Sequence, residues 1–189
     1  LTKRCVITVV TEDRLPAVKV FIEILREVSE PQLFICVIGT TSLGHETGVT
    51  YLSEHDLGLP HFDRFAFQYT AFEFCCAIKP WLIAYALEKG FDRVLYFDCD
   101  IGFYAPLEPV FEALDNDDVL LTRHQSPNTP NDGFIPTRGQ LRSAGLFNAG
   151  FVGVAGTENG RKFTDWWQSN CKTNAYVDIS GGVFVDQSW

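Results

Sequence analysis

Two aspartates one residue apart close an apolar run, Arg93-Val94-Leu95-Tyr96-Phe97-Asp98-Cys99-Asp100. The run reads as a buried strand. Strand alternation would then set Asp98 and Asp100 on one side of its carboxyl end, where α/β folds keep their ligand crevices. Like carboxylates held that close repel unless positive charge lies between them. Hard oxygen ligands favour Mg2+ or Mn2+ over zinc, and such an ion implies a phosphate-bearing substrate. The competing reading is structural, because exposed carboxylates at a strand end also cap turns and helices. Pro106-Leu107-Glu108-Pro109-Val110-Phe111 follows as a turn into a short helix, which places the pair on a loop after a central strand.

Three further groups carry residue types suited to the same chemistry. Lys79 lies between Ala77-Ile78 and Pro80-Trp81. A lysine on a helix is ordinarily solvated, but one embedded in apolar sequence requires an anionic partner. Asn148-Ala149-Gly150 interrupts an apolar strand pattern. Gly150 there marks either close approach of a ligand or a β-bulge, and the Asn148 amide can serve vicinal hydroxyls or local backbone. In Gly181-Gly182-Val183-Phe184-Val185-Asp186-Gln187 a flexible turn leads to an adjacent carboxylate and carboxamide. The plain alternative is a loop entering a capped helix.

The elements that must position these groups alternate in type. Cys5 to Val10 and Leu33 to Ile38 read as buried strands flanking a helix over Ala17 to Val28, which Pro31 follows as a break. That order is what a parallel sheet requires. Thr41 to Phe67 is rich in Gly, His and Asp, with at most short elements expected. Helical pattern returns from Tyr69 to Glu88, with Pro80 expected to kink it or to begin a second helix. After the strand over Arg93 to Phe97 come a short helix near Leu107 to Leu114 and strands over Val119 to Thr122 and Phe147 to Val154. A helix over Glu158 to Cys171 presents Phe163, Trp166 and Trp167. Between them Arg123 to Ser143 reads as a long loop of the functional or mobile kind.

The 189 residues suit one domain, and 46% hydrophobic with 14% aromatic residues fits a globular core. The formal charge of −9 disfavours a nucleic-acid partner, which would require a basic face. No apolar stretch reaches transmembrane length and no signal peptide opens the chain, so a cytoplasmic location is expected. The six cysteines sit mostly in apolar runs without Cys-x-x-Cys spacing, as buried reduced thiols would. With no methionine and a stop at Gln187-Ser188-Trp189, the chain is expected to be a fragment of a longer protein.

Taken in order, lysine, Asp-x-Asp, Asn-x-Gly, then Gly-Gly followed by Asp-Gln resembles the GT-A nucleotide-sugar transferases, especially glycosyltransferase family 8. That family includes glycogenin and lipopolysaccharide galactosyltransferases, and the likeness spans nearly the whole chain. It implies one GT-A domain over residues 1–189, Rossmann-like, with a mixed, mostly parallel sheet flanked by helices. It also implies a UDP-sugar donor, a Mn2+ or Mg2+ ion on the diphosphate, and transfer with retention to an acceptor the sequence does not identify. By the same likeness Asp98 and Asp100 would hold the metal, with Asp98 also on the donor. Lys79 would lie beside the aspartates and the diphosphate. Asn148, Gly150 and Asp186 would hold the donor sugar, and Gln187 would face the anomeric carbon. Thr11 and Asp13, after the first strand, fall where the family binds uridine.

Two departures accompany the likeness. Cys99 is an unusual middle residue for the motif and should point away from the metal. The family's further metal-ligand histidine, downstream of Asp-Gln, has no counterpart here, and neither His124 nor the three earlier histidines match it. Two other readings remain in view: a nucleotide-sugar-binding module without catalysis, and a haloacid-dehalogenase-like phosphatase. In the latter the first aspartate of Asp-x-Asp is a nucleophile on the first strand of its domain.

Overall fold

The computed structural model describes residues 2–40, 44–124, 132–134, 137, 139 and 144–188. Most of the loop expected over Arg123 to Ser143 therefore lies outside the described residues, as do Thr41 and Trp189. Strand β1 (Arg4–Thr11) leads through a short 3-10 turn, Glu12–Arg14, into helix α1 (Leu15–Val28) and strand β2 (Gln32–Ile38). Within 41–67, where at most short elements are expected, the structure has a short third parallel strand, β3 (Val49–Ser53), that the sequence does not single out. Only Leu52 of that strand is buried, so it has no continuous apolar run to reveal it. Helices α2 (Phe62–Phe67), α3 (Ala71–Ala77) and α4 (Lys79–Glu88) follow. Then come strand β4 (Arg93–Phe97), helix α5 (Glu108–Ala113), strands β5 (Val119–Arg123) and β6 (Phe147–Ala155), and helix α6 (Glu158–Cys171). A hairpin of β7 (Val177–Asp178) and β8 (Val183–Phe184) ends in a 3-10 turn, Val185–Gln187.

One six-stranded sheet runs β3-β2-β1-β4-β6-β5. The first four strands are mutually parallel, and β6 is antiparallel to both β4 and β5. This is the mixed, mostly parallel sheet expected. The chain moves outward from β1 to β2 and β3, then returns to place β4 on the other side of β1. A topological switch therefore lies at the carboxyl ends of β1 and β4, where open α/β sheets leave a crevice.

Alternation along the two central strands divides the core. Cys5, Ile7 and Val9 of β1, with Val94 and Tyr96 of β4, face the layer containing α3, α4 and Trp167 of α6. Val6 and Val10, with Leu95 and Phe97, face Phe21 of α1 and Phe111 of α5, with Phe103 of the β4–α5 connection in the same cluster. All six cysteines are free thiols; four are buried, and Cys75 and Cys99 are half-buried.

The join between α3 and α4 places the lysine. Ile78 closes α3 and opens α4, and Pro80 occupies the first turn of α4, where its missing N–H breaks no helical bond. Because α4 runs back against β4, its first turn lies at the crevice end of the sheet. Lys79 is carried there.

Candidate active site at the ends of β1 and β4

The crevice is organised by one buried ammonium group. Lys79 has a side chain 5% exposed, and its Nζ lies 3.1 Å from Asp186 Oδ2 and 3.4 Å from Asp98 Oδ1. It also donates to the Ala149 carbonyl at 3.1 Å and sits 4.9 Å above the centre of the Tyr96 ring. Burial opposes its charge, but the Asp186 and Asp98 carboxylates outweigh that cost and hold Lys79 protonated, above its ordinary range.

Asp98 follows the alternation of Val94 and Tyr96 toward α4. Its backbone N–H still donates to Gly150 O at 2.8 Å, so sheet pairing reaches it. The Tyr96 hydroxyl donates to Asp98 Oδ1 at 2.6 Å. Burial first, and then the Asp98 carboxylate, push that phenol well above its ordinary pKa, so it remains a donor at neutral pH. Strand alternation stops at this point. Ile101 N bonds back to Asp98 O at 3.1 Å, so Asp98 to Ile101 is a turn and Asp100 sits exposed on it. The expectation that Asp100 shares a face with Asp98 by strand periodicity therefore does not apply. Cys99 packs against the opposite core, on the α1 side.

Asp186 reaches the crevice from the far end of the chain. Val185 before it has φ 45°, a backbone region costly for a β-branched residue by about 1–3 kcal/mol. Trp167 Nε1 donates to the Asp186 carbonyl at 2.7 Å and anchors the turn. The Asp186 side chain is only 1% exposed and faces Lys79, so its carboxylate is not presented to a sugar hydroxyl. Burial raises its pKa while the ammonium pulls it back. Gln187 is half-buried, and its Oε1 accepts from Ala149 N at 3.0 Å. Gly145 packs against this turn with φ 106°, and a Cβ there would stand 2.0 Å from the Gln187 carbonyl oxygen.

Between Leu121 and Thr122 of β5 the pairing with β6 skips from Val152 to Asn148, so β6 carries a bulge over 149–151. Asn148 is exposed, and its Oδ1 accepts from Gly150 N at 2.7 Å across the bulge. A Cβ at Gly150 would lie 2.7 Å from that oxygen and 3.1 Å from Asp98 Oδ2, so glycine keeps this approach open. Thr11 ends β1, the strand beside β4, and Asp13 is exposed on the 3-10 turn that follows. Asp13 and Asp98 both act electrostatically on Cys75, whose thiol burial pushes up to about 12.

The structure thus brings Lys79, Asp98, Asn148, Gly150, Asp186 and Gln187 together, with Asp100, Thr11 and Asp13 on the rim. Sequence reading did not assign Tyr96, Gly145 or Trp167 to this arrangement. The flanking Phe163-x-x-Trp166-Trp167 face was visible, but nothing local to it indicated a bond to Asp186.

Among the described residues no three His, Cys, Asp or Glu side chains converge as metal ligands. Asp98 and Asp100 offer two carboxylates at most. That is too few for a structural zinc site, but it fits a small hard cation completing its shell with phosphate oxygens and water.

No family model matches the sequence. Over 125 residues the chain is 30% identical to the uncharacterised protein YfnF of Bacillus subtilis (strain 168), a match covering 62% of this chain and 39% of YfnF. The chain therefore spans about two fifths of the length of that curated relative. Among solved structures, galactosyltransferase LgtC in complex with donor and acceptor sugar analogs matches with a TM-score of 0.59 at 13% identity, over 96% of this chain and 70% of LgtC. An active-site glutamine-to-glutamate mutant of LgtC matches at 0.62 and 14% identity, with the same coverage. The apo form of the glycosyltransferase GlyE from Streptococcus pneumoniae TIGR4 matches at 0.51 and 15% identity, over 99% of this chain and 42% of GlyE. The chain has the fold of these glycosyltransferases. In that fold the crevice of Lys79, Asp98 and Asp186 occupies the carboxyl ends of the central strands. No helix among the described residues is long and apolar enough to cross a membrane.

Proposed function

We propose that this chain is the donor-binding and catalytic domain of a glycosyltransferase of the family 8 type. It would transfer a hexosyl group from a UDP-sugar, with retention, in a reaction dependent on Mn2+ or Mg2+. The observation that carries the proposal is Lys79 held between Asp98 and Asp186 at the switch of a glycosyltransferase fold. LgtC, of the same fold, was solved with donor and acceptor sugar analogs.

Charge supports a metal. Asp98 and Asp186 already flank the Lys79 ammonium, and Asp100 adds a further carboxylate on the turn after Asp98, so a diphosphate entering beside Asp98 and Asp100 requires further positive charge. A divalent ion held by those two aspartates would supply Lewis-acid stabilisation of the departing diphosphate. The chain's own residues do the remaining work. Tyr96 and Lys79 both occupy Asp98 Oδ1 and so fix the carboxylate, leaving Oδ2 beside Gly150. Asp186 pairs with Lys79 at 3.1 Å and keeps the ammonium protonated and in place. Asn148 would bond a donor-sugar hydroxyl from its exposed position on the bulge.

Gln187 would stabilise the oxocarbenium-like centre rather than attack it. A carboxamide is a weak nucleophile, and its oxygen, which accepts from Ala149 N with one lone pair, keeps a second that can face developing positive charge. Gln187→Ala should accordingly leave UDP-sugar affinity nearly unchanged and lower transfer or donor hydrolysis by about 10-fold to 100-fold, as expected for an interaction made mainly in the transition state. Equal turnover in mutant and wild type, or loss of donor binding, would contradict this role.

The phosphatase reading fares worse, since Asp98 follows the fourth strand of the chain rather than the first. UDP release from UDP-glucose and UDP-galactose, with Mn2+ and with EDTA, compared with phosphate release from a phosphomonoester, separates the two. Metal-dependent UDP release supports the transferase. Phosphate release alone would replace it. UDP-sugar binding without any release would leave a binding module.

A further inference from the structure

We propose that His124 is a positioning residue for the donor sugar, acting by locking the carboxamide of Asn148; the inference rests on the glycosyltransferase reading above. His124 follows β5, and its backbone N–H continues the β5–β6 pairing by donating to Leu146 O at 3.1 Å. The ring is therefore mounted on paired backbone. Its Nδ1 lies 2.9 Å from the Gly145 carbonyl oxygen, and its Nε2 lies 3.3 Å from Asn148 Nδ2.

These contacts determine the proton positions from both ends. A carbonyl oxygen only accepts, so Nδ1 carries the hydrogen and, in the neutral ring, Nε2 is the acceptor. Asn148 Oδ1 accepts from Gly150 N at 2.7 Å, so the NH2 end of the carboxamide is the end that faces His124. One amide hydrogen goes to Nε2. The second has no partner among the described residues, on a side chain exposed at the crevice. A hydroxyl oxygen of a pyranose would accept from it.

His124 thus adds a tie between two pieces that the Ala149 N–H bond to Gln187 Oε1 already brings together. Gly145 lies against the Gln187 carbonyl, and Asn148 leads through Gly150 to the backbone N–H of Asp98, 2.8 Å from Gly150 O. Removing the imidazole frees the carboxamide to rotate and takes away its fixed donor geometry. The nucleotide has no such dependence, since His124 touches neither Lys79 nor the Asp98 carboxylate. The effect falls on the sugar half of the donor.

Two measurements test this. Long-range 15N–1H correlation spectra at mildly alkaline pH should give His124 a protonated Nδ1 and a bare Nε2; the opposite tautomer would overturn the proposal without touching the glycosyltransferase reading. Calorimetric titrations of UDP, UDP-glucose and UDP-galactose, with Mn2+, into wild type, His124→Ala and His124→Gln supply the second. His124→Ala should weaken the better-bound UDP-sugar about tenfold, the worth of one well-placed hydrogen bond. Its UDP affinity should be that of wild type. Glutamine, whose Oε1 can replace the Nε2 acceptor, should restore most of the loss. Unchanged UDP-sugar affinity in His124→Ala, a parallel loss for UDP, or no rescue by glutamine would each overturn the positioning role. Wild-type protein that binds none of the three ligands would overturn the glycosyltransferase reading itself, and this inference with it.

Discussion

Replacing Lys79 with alanine should lower the unfolding free energy by about 3–5 kcal/mol and remove measurable UDP binding. The stability loss follows from what is left behind. Asp186, with a side chain 1% exposed, would retain a carboxylate with no counter-ion, and Asp98 would lose one of the two groups that hold Oδ1. Urea unfolding followed by tryptophan fluorescence measures the first effect. A double variant separates packing from charge: Lys79→Met with Asp186→Leu should recover much of the stability, because an apolar pair replaces a buried ionic one, yet should not recover UDP binding. Recovery of both would reduce the lysine to a structural strut.

The same pair sets a pH dependence. The folded protein holds the Lys79 proton more tightly than the unfolded chain does. Its contribution to stability is thus complete below the ordinary lysine pKa of about 10.4 and is lost only as pH rises through the higher folded-state value. Across the neutral range Lys79 itself should add no slope to stability.

Asp98→Asn should lower UDP release from a UDP-sugar by about 10²–10³-fold, the usual cost of losing one electrostatic contributor to a transition state. The fold should survive, in contrast to the lysine variant. Asparagine keeps the shape of the side chain and an acceptor for the Tyr96 hydroxyl, Lys79 retains Asp186 at 3.1 Å, and the Asp98 side chain is already 41% exposed. The informative comparison is turnover against melting midpoint in one preparation. A midpoint near wild type with turnover lost places Asp98 in the chemistry. A lowered midpoint with turnover per folded molecule intact would make it a capping residue of the turn Asp98 to Ile101.

Sequence reading located the central strands because they are buried on both faces. β1, β2 and β4 are continuous apolar runs, and only the structure shows how their residues divide between the two cores. β3 was missed for the converse reason: an edge strand with one buried residue, entered through Gly48 at φ 76°, resembles a turn-rich loop. Lys79 was legible from its apolar flanks and Asp98 from the end of its strand. Asp100 was legible as a residue but not in orientation, because a turn closed by Ile101 N ended the periodicity on which the argument depended.

The supporting contacts were not legible. Tyr96 reads as a core aromatic until its hydroxyl is seen on Asp98. Trp167 reads as helix packing until its indole is seen on the Asp186 carbonyl. His124 pairs with residues more than twenty positions away. Such contacts are set by tertiary closure, and no local pattern encodes them. The positive φ of Val185 belongs with these: local preference argues against it, and it persists where Trp167 and Lys79 hold the residue that follows.

In the proposed function a nucleoside diphosphate binds in the crevice with a divalent ion between its phosphates and the aspartates. Calorimetric titration of UDP into wild type and Asp100→Asn, each with Mn2+ and with EDTA, decides whether it does. Wild type should bind saturably in Mn2+, with affinity weakened about tenfold or more, ~1.4 kcal/mol, in EDTA or in the Asp100→Asn variant. Equal affinity under all four conditions, or no UDP binding with Mn2+ present, would contradict it.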